Sequence, residues 1–326
     1  MVATPSRRPV DLEVITVGRV GVDLYPQQLS CTLAEVKSFT KSLGGTATNV
    51  AVAAARLGHR SAVVTKVGDD GFGEYVRSAI AGFGVDTRWV STHRTLRTPL
   101  AFCEAYPPDR FPLLFYREPT APDLTITTED FEIEPLGVVP ILWITGTGVS
   151  ADPSRETHLQ ILKERERSSS PTALATIVDL DYRAMFWDSP AAARRALKEV
   201  VPFVDVVVGN IDEIEVLVGE RDPRRAASML DDAGVEMTVV KMGPEGVLGR
   251  RGDEVVEIAG TEVEVVCGLG AGDAFGGALC HGLLQGWDLS RILSFSNAAG
   301  AIVASRLTCA DAMPSEAEVL ELTGAA

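Results

Sequence analysis

The chain predicts an α/β fold: a mostly parallel sheet with helices packed on both faces. Short β-branched runs ending in Gly, Asp or Asn alternate with helix-like stretches almost throughout. These runs are hydrophobic nearly end to end, as strands buried on both faces must be. At 326 residues and 46% hydrophobic, the chain has ample core. Residues 1–326 are read as a single domain.

The elements follow in order. Residues 14–18 (VITVG) are the first strand, and the alanine-rich 48–58 (TNVAVAAARLG) a helix that can lie close to the sheet. Strand 61–68 (SAVVTKVG) and helix 72–84 (FGEYVRSAIAGFG) repeat the unit, as do strand 138–146 (VVPILWITG) and helix 155–167 (RETHLQILKERER). The charged run 163–168 (KERERS) reads as a solvated helix face before a Ser-Pro loop. Strand 175–181 (ATIVDLD), helix 189–201 (SPAAARRALKEVV), strand 204–210 (VDVVVGN), helix 223–234 (PRRAASMLDDAG) and strand 237–243 (MTVVKMG) continue the alternation. Residues 25–43 and 95–119 break the rhythm with turn residues and aromatics, and are expected to pair as a small β-lid on the edge of the sheet. Ligands of such folds gather beyond the carboxyl ends of the strands. Chemistry is therefore sought at Asp23, Gly68–Asp69, Gly146, Asp179, Asp181, Asn210 and Gly243.

Composition narrows the partners. A formal charge of −15 without a compact basic block argues against nucleic acid. No apolar run is long enough to cross a bilayer, and the N-terminal MVATPSRRPVDLE lacks the apolar segment of a signal peptide, so it reads as a short flexible lead-in. The five cysteines are scattered and odd in number, with no Cys-x-x-Cys pair, and the four histidines are dispersed. A disulfide framework or zinc site is not expected, and a cytoplasmic, reducing location fits.

Two glycine clusters carry the chemistry. In residues 265–284 (VVCGLGAGDAFGGALCHGLL) a strand enters a Gly-Ala-Gly-Asp turn that continues into a helix. Gly270, Ala271 and Gly272 would present unpaired backbone N–H groups at the helix mouth, where the dipole also favours negative charge. Asp273 beside such a site is electrostatically costly unless it takes a proton from a hydroxyl attacking phosphorus. No Gly-Lys dipeptide exists for a Walker loop, and Gly276 falls one residue late for Gly-x-Gly-x-x-Gly. In residues 42–58 (SLGGTATNVAVAAARLG), Gly44 and Gly45 would let the backbone approach a small ligand, and Asn49 offers a polyol both donor and acceptor. An N-cap with tight helix packing explains the second cluster equally well when taken alone.

Together these signatures resemble those of the ribokinase-like carbohydrate kinases, the phosphofructokinase-B family. GRVGVDLY with Asp23, KVGDDGFGEYV, GNIDEIEVLVG and VVKMGPEGV agree in order, over about Val14 to Met313. The resemblance implies a three-layer α/β/α ribokinase-like fold with a β-sheet lid, using ATP and Mg²⁺. It implies Asp273 as catalytic base and Gly270, Ala271 and Gly272 as the anion hole, with Asn210 and Glu213 organising Mg²⁺. Asp23, Gly44, Gly45 and Asn49 would hold sugar hydroxyls, and Lys241 and Gly243 would meet the nucleotide. Asn210 and Glu213 could equally cap a helix, and Lys241 could be a solvated strand end. Many members carry Asp where this chain has Cys267, in a segment that frames a potassium site, so K⁺ dependence stays open. Cys267 itself reads as a buried packing residue.

Arg117 (FPLLFYRE) and Arg183 (VDLDYRAMFW) lie where sugar-acid kinases of the family place acid- or keto-recognising residues, and guanidinium pairs bidentately with carboxylate. These strings, with GRVGVDLYPQQ and SFTKSLGGTATN, are most similar to the sugar-acid branch, which implies phosphorylation of a terminal (C6) hydroxyl. A silent sugar sensor on the same fold would have lost the base or the anion hole, and both are intact here. The lid would also offer a surface for homodimer formation.

Overall fold

The computed structural model describes residues 12–324. The expected lead-in lies, through residue 11, outside the described residues. Strand β1 (Val14–Val17) opens the main sheet. The chain leaves it for a small sheet, β2 (Gly21–Pro26) and β3 (Phe39–Gly44). Helix α1 (Thr46–Arg56) then leads back to β4 (Ser61–Gly68), and α2 (Gly71–Gly82) to β5 (Val90–His93). A second excursion adds β6 (Leu100–Cys103) and β7 (Leu113–Tyr116) to the small sheet. After α3 (Glu134–Val138) come β8 (Ile141–Thr145), α4 (Ser154–Ser168), β9 (Ala175–Asp179), α5 (Pro190–Val200) and β10 (Val206–Asn210). Next are α6 (Ile211–Val218), α7 (Pro223–Asp232), β11 (Met237–Lys241), β12 (Val247–Arg251) and β13 (Glu254–Ile258). Three helices end the chain: α8 (Ala271–Leu284), α9 (Leu289–Ala304) and α10 (Glu316–Thr323).

The main sheet has nine strands in the order β13-β12-β11-β10-β9-β8-β1-β4-β5. The run from β11 to β5 is parallel, and β12 and β13 close one edge as antiparallel partners. Strand alternation sorts the core onto two faces. Ile141 and Trp143 of β8 join Val50, Phe275 and Leu279 of α1 and α8 on one side. Leu142 and Ile144 join Leu162, Leu197 and Leu217 of α4, α5 and α6 on the other. Each such side chain contributes about 1.5–3 kcal/mol by leaving water. This is the α/β/α layering that the strand and helix periods call for.

The small sheet runs β3-β2-β6-β7, with β2 and β6 parallel and its other pairs antiparallel. Its strands come from the two excursions that broke the sequence rhythm, although β2 begins at Gly21 rather than near residue 25. Asp23 therefore sits within the small sheet, paired across to Ser42 and Ala101, and not at the end of a main-sheet strand. The β12–β13 hairpin was not read from sequence, because its mixed charged and apolar residues follow neither the strand nor the helix pattern of the rest.

Candidate active site

Gly270 precedes helix α8 as its N-cap, and its φ of 83° is the left-handed conformation that glycine adopts without strain. A Cβ there would also lie 2.5 Å from Cys309 Sγ. No side chain caps the first N–H groups of α8, so they remain donors at the mouth of a dipole. Gly270, Ala271 and Gly272 line a cleft of about 1090 Å³ that opens between the two sheets.

Asp273 stands in the first turn of α8. Asn49 of α1 donates its Nδ2 to Asp273 Oδ2 at 2.7 Å. This bond requires α1 and α8 to approach closely, and small residues allow it: a Cβ on Gly277 would collide with Ala53. Burial pushes the Asp273 carboxyl up to about 6, against the pull of Asn49 and of the Arg19 and Lys241 charges. Asn49 Oδ1 is buried and has no donor among the described residues, so it is free to accept from a ligand hydroxyl.

Asp23 faces the same cleft from β2. Its carboxyl occupies the space that a Cβ on Gly44 would fill, which explains the glycine at that position. Tyr25 donates its hydroxyl to Asp23 at 3.3 Å, and burial lifts the carboxyl to about 6 against the Arg19 charge. Gly45, at φ 101°, caps α1 and lets the chain turn over Arg19 and Val20.

On the main-sheet side, Lys241 ends β11 with Nζ 3.9 Å from Asp179 Oδ2. A Cβ on Gly272 would be 3.2 Å from the same Nζ, so the ammonium lies against the glycine turn. Burial works against the Lys241 charge, but Asp179, Glu213 and Asp273 outweigh it and raise the group. Asp179 itself is pushed up to about 7, first by burial and then by Glu213, Asp181 and Asp273, with Lys241 opposing.

Asn210 and Glu213 form a reciprocal capping box on α6: Asn210 N donates to Glu213 Oε2 at 2.8 Å, and Glu213 N to Asn210 Oδ1 at 2.9 Å. The capping alternative is thus realised, and it fixes both side chains at the cleft. Glu213 Oε1 lies 3.4 Å from Arg183 Nη1. Arg183 also reaches Asp181 at 3.2 Å, which leaves its side chain about one-third exposed. Arg117 is held elsewhere. It pairs with Asp123 at 2.8 Å and borders a narrower recess with Asp23, Arg19 and Phe115.

The structure brings Asp23, Gly45, Asn49, Arg183, Asn210, Glu213, Lys241, Gly243 and the Gly270–Asp273 turn to one cleft. Gly44 backs Asp23, and Arg117 stands outside the cleft. Of the strand-end positions singled out, Gly68, Asp69 and Gly146 are absent from the lining. The end of β4 is closed by Asp70, which accepts from Gly73 and Thr98 N–H groups.

Sequence reasoning missed a buried centre. Arg19 Nη2 donates to Thr46 Oγ1 at 2.6 Å and meets Asp181 at 3.1 Å. Thr147 donates to Asp181 at 2.9 Å. Burial would raise the Asp181 carboxyl, but Arg19 and Arg183 overcome it and hold the group below its usual range. The available signal was position: Arg19 follows β1 at its carboxyl end, where ligands gather.

The donor set fits Mg²⁺ in one manner. Asp179 lies among like charges that a cation would relieve, and Glu213 and Asn210 already spend donors and acceptors on their cap. Among the described residues no group of three or more His, Cys, Asp or Glu side chains is arranged as a metal cage. The fit is to an ion arriving with a nucleotide and met largely through water, as Mg²⁺ prefers.

A large α/β sheet, a four-stranded side sheet and an uncapped glycine turn beside a half-buried Asp define a phosphotransferase cleft. The chain belongs to the pfkB family of carbohydrate kinases, whose model matches residues 11–316. It is a carbohydrate kinase. It is 32% identical to a protein named 5-dehydro-2-deoxygluconokinase from Photobacterium profundum, over 98% of this chain and 96% of that one. It is 30% identical to one of the same name from Geobacillus thermodenitrificans, covering 95% and 91%. Among solved structures it resembles a fructokinase with bound ATP from Xylella fastidiosa, at 25% identity and a TM-score of 0.83, covering 96% of this chain and 98% of that one. No helix among the described residues is long and apolar enough to cross a membrane.

Proposed function

We propose that this kinase transfers the γ-phosphoryl group of ATP to the terminal C6 hydroxyl of 5-dehydro-2-deoxy-D-gluconate, a step of myo-inositol breakdown. The observation that carries the reading is the pairing of Asp273 with Asn49 at the mouth of α8. A base with a carboxyl near 6 is ionised at neutral pH yet basic enough to take the proton of an attacking hydroxyl. The N–H groups of Gly270, Ala271 and Gly272 would receive the charge that develops on the transferred group.

The remaining roles divide by wall. Lys241 and Gly243 approach the nucleotide, and Asn210 and Glu213, with Asp179 near them, would hold the water shell of Mg²⁺. When bound, that ion neutralises phosphate charge. Asp23, Gly44, Gly45 and Asn49 frame the sugar hydroxyls. Arg183 is placed to meet an acid or keto group, and Arg117 contributes only where its pair with Asp123 opens. The small sheet covers the acceptor and keeps water from wasting the nucleotide. Cys267 is fully buried against Tyr25, Cys103 and Cys309, so potassium would rely on backbone carbonyls. Leu114 and Tyr116 of β7 are 48% and 59% exposed on the outer face of the small sheet, and they support pairing of two copies there. A cytoplasmic location fits five free thiols.

An ADP-release assay over a panel of sugar acids and ketoses tests the reading. The largest kcat/KM is expected with 5-dehydro-2-deoxygluconate. A larger value with 2-keto-3-deoxygluconate, fructose or ribose replaces the substrate, and sugar binding without turnover on any of them refutes the kinase assignment.

A further inference from the structure

The cleft is crowded with groups that accept. Asp23, Asp179, Asp181, Glu213 and Asp273 all line it. Carboxylates receive hydrogen bonds from sugar hydroxyls but give none to an oxygen that only accepts, such as a ketone or a carboxylate. Such an oxygen must find a donor. Lys241 lies against the glycine turn, at the phosphate end. Arg183 is shared between Asp181 and Glu213. Arg19 lies where its charge acts on Asp23 as well as on Asp273, the two carboxyls between which an acceptor sugar would rest.

Arg19 is only 8% exposed, and its hydrogen bonds to Thr46 and Asp181 are all made by Nη2. Its Nε is buried and has no acceptor among the described residues. A buried donor left unpaired is costly, and in a binding cleft it marks the place of a missing acceptor. Thr46 and Asp181 fix the guanidinium plane, so little ordering is left for the ligand to impose. The Phe115 ring of the small sheet, 5.9 Å from the guanidinium carbon, walls the site with apolar surface. We infer that Arg19 is a specificity-determining residue that donates to an acceptor-only oxygen, keto or carboxylate, of the sugar acid. This rests on the sugar-acid reading above. A site built around a donor discriminates strongly, because the wrong ligand leaves that donor buried and unpaired.

The test uses Arg19→Met and Arg19→Lys with three acceptors: 5-dehydro-2-deoxygluconate, 2-deoxygluconate, which lacks the ketone, and fructose, which lacks the acid. In Arg19→Met the KM for the keto acid is expected to rise about 10- to 100-fold, with the KM for ATP little changed. Selectivity over 2-deoxygluconate collapses if Arg19 reads the ketone, and selectivity over fructose collapses if it reads the carboxylate. Equal losses on all three acceptors, or unchanged selectivity, overturn the inference. Wild-type turnover on the same panel reports separately on the sugar-acid reading, so the two can fail independently.

Thermal shift supplies a readout besides activity. ATP alone should still raise the melting temperature of Arg19→Lys, certifying its fold, while the shift given by the sugar acid is lost. A retained sugar-acid shift counts against the assignment. Should both Arg19 variants fail to fold, Thr46→Val removes only the hydroxyl that anchors Nη2. A smaller loss of the same selectivity is then expected, and no change in selectivity overturns the inference.

Discussion

Two carboxyls in one cleft, Asp181 buried and Asp273 half-buried, meet opposite fates. Asp181 is clamped by Arg19, Arg183 and Thr147, and it is held below its usual range despite burial. Among the described residues Asp273 has one direct side-chain donor, Asn49, and burial lifts it to about 6 against the Arg19 and Lys241 charges. The first carboxyl is spent on structure, while the second is left under-compensated and therefore basic. Backbone geometry marks the same division: Asp181 sits at φ 35°, strained for a non-glycine residue, whereas the turn before Asp273 uses Gly270 in a conformation glycine accepts. Burial pushes both carboxyls up, and the number of partners decides which one stays raised.

The strongest break of this comparison is Asp273→Asn. The amide keeps the size and the contact with Asn49 but cannot take the proton. We expect kcat to fall by at least ~10²-fold with the KM for ATP little changed, measured by ADP release at saturating sugar. Near-normal turnover would remove Asp273 from the chemistry.

Asp181→Asn attacks the other side. It strips a full charge from between two guanidiniums, one of them buried, and breaking such a pair costs about 3–5 kcal/mol. Denaturant titration should show this loss at pH 7. Asp181 is depressed in the fold, so its contribution is present above the unfolded carboxyl range and fades as the pH falls through the folded value. A variant as stable as the parent at pH 7 would show that the Asp181 charge is not needed to hold Arg19 and Arg183 in place.

Much of this is legible in the sequence, and the limits have physical reasons. The βαβ alternation and the two glycine clusters show in the sequence because each depends on local composition and spacing. The small sheet was visible as a break in rhythm, but the start of β2 was not, because Gly21 and Val22 look like a continuation of the first strand. The Arg19–Asp181 pair joins residues 162 positions apart, and no local pattern announces a contact of that kind. The sequence pointed instead to Arg117 and Arg183: Arg183 does reach Asp181 in the cleft, whereas Asp123, six residues on, already holds Arg117.

Acid sharpens the contrast through activity. The proposed base must be ionised to take a proton, so with Asp273 in that role kcat/KM should fall about tenfold per pH unit below about 6. Asp23, also near 6, and Asp179, near 7, titrate in the same range, so the limb belongs to the set of interacting carboxyls. Residual activity of Asp273→Asn should lack part of this slope. An activity flat down to pH 4.5 would mean that no group of the set needs its charge.

The smallest effect is the most discriminating, because its sign differs between the two carboxyls. Asp273 has a folded value raised above its unfolded one, so its ionised form disfavours the fold. The stability it confers is complete at low pH and is lost as the pH rises through about 6. Asp273→Asn should therefore be more stable than the parent at pH 8, by about 1 kcal/mol or a few degrees in melting temperature, and the gain should vanish near pH 4. Asp181→Asn should move in the opposite direction at pH 8 and converge on the parent only in stronger acid. If both variants lose stability at pH 8, Asp273 is compensated in the fold after all, and its basicity must come from the bound nucleotide rather than from the protein groups of the cleft.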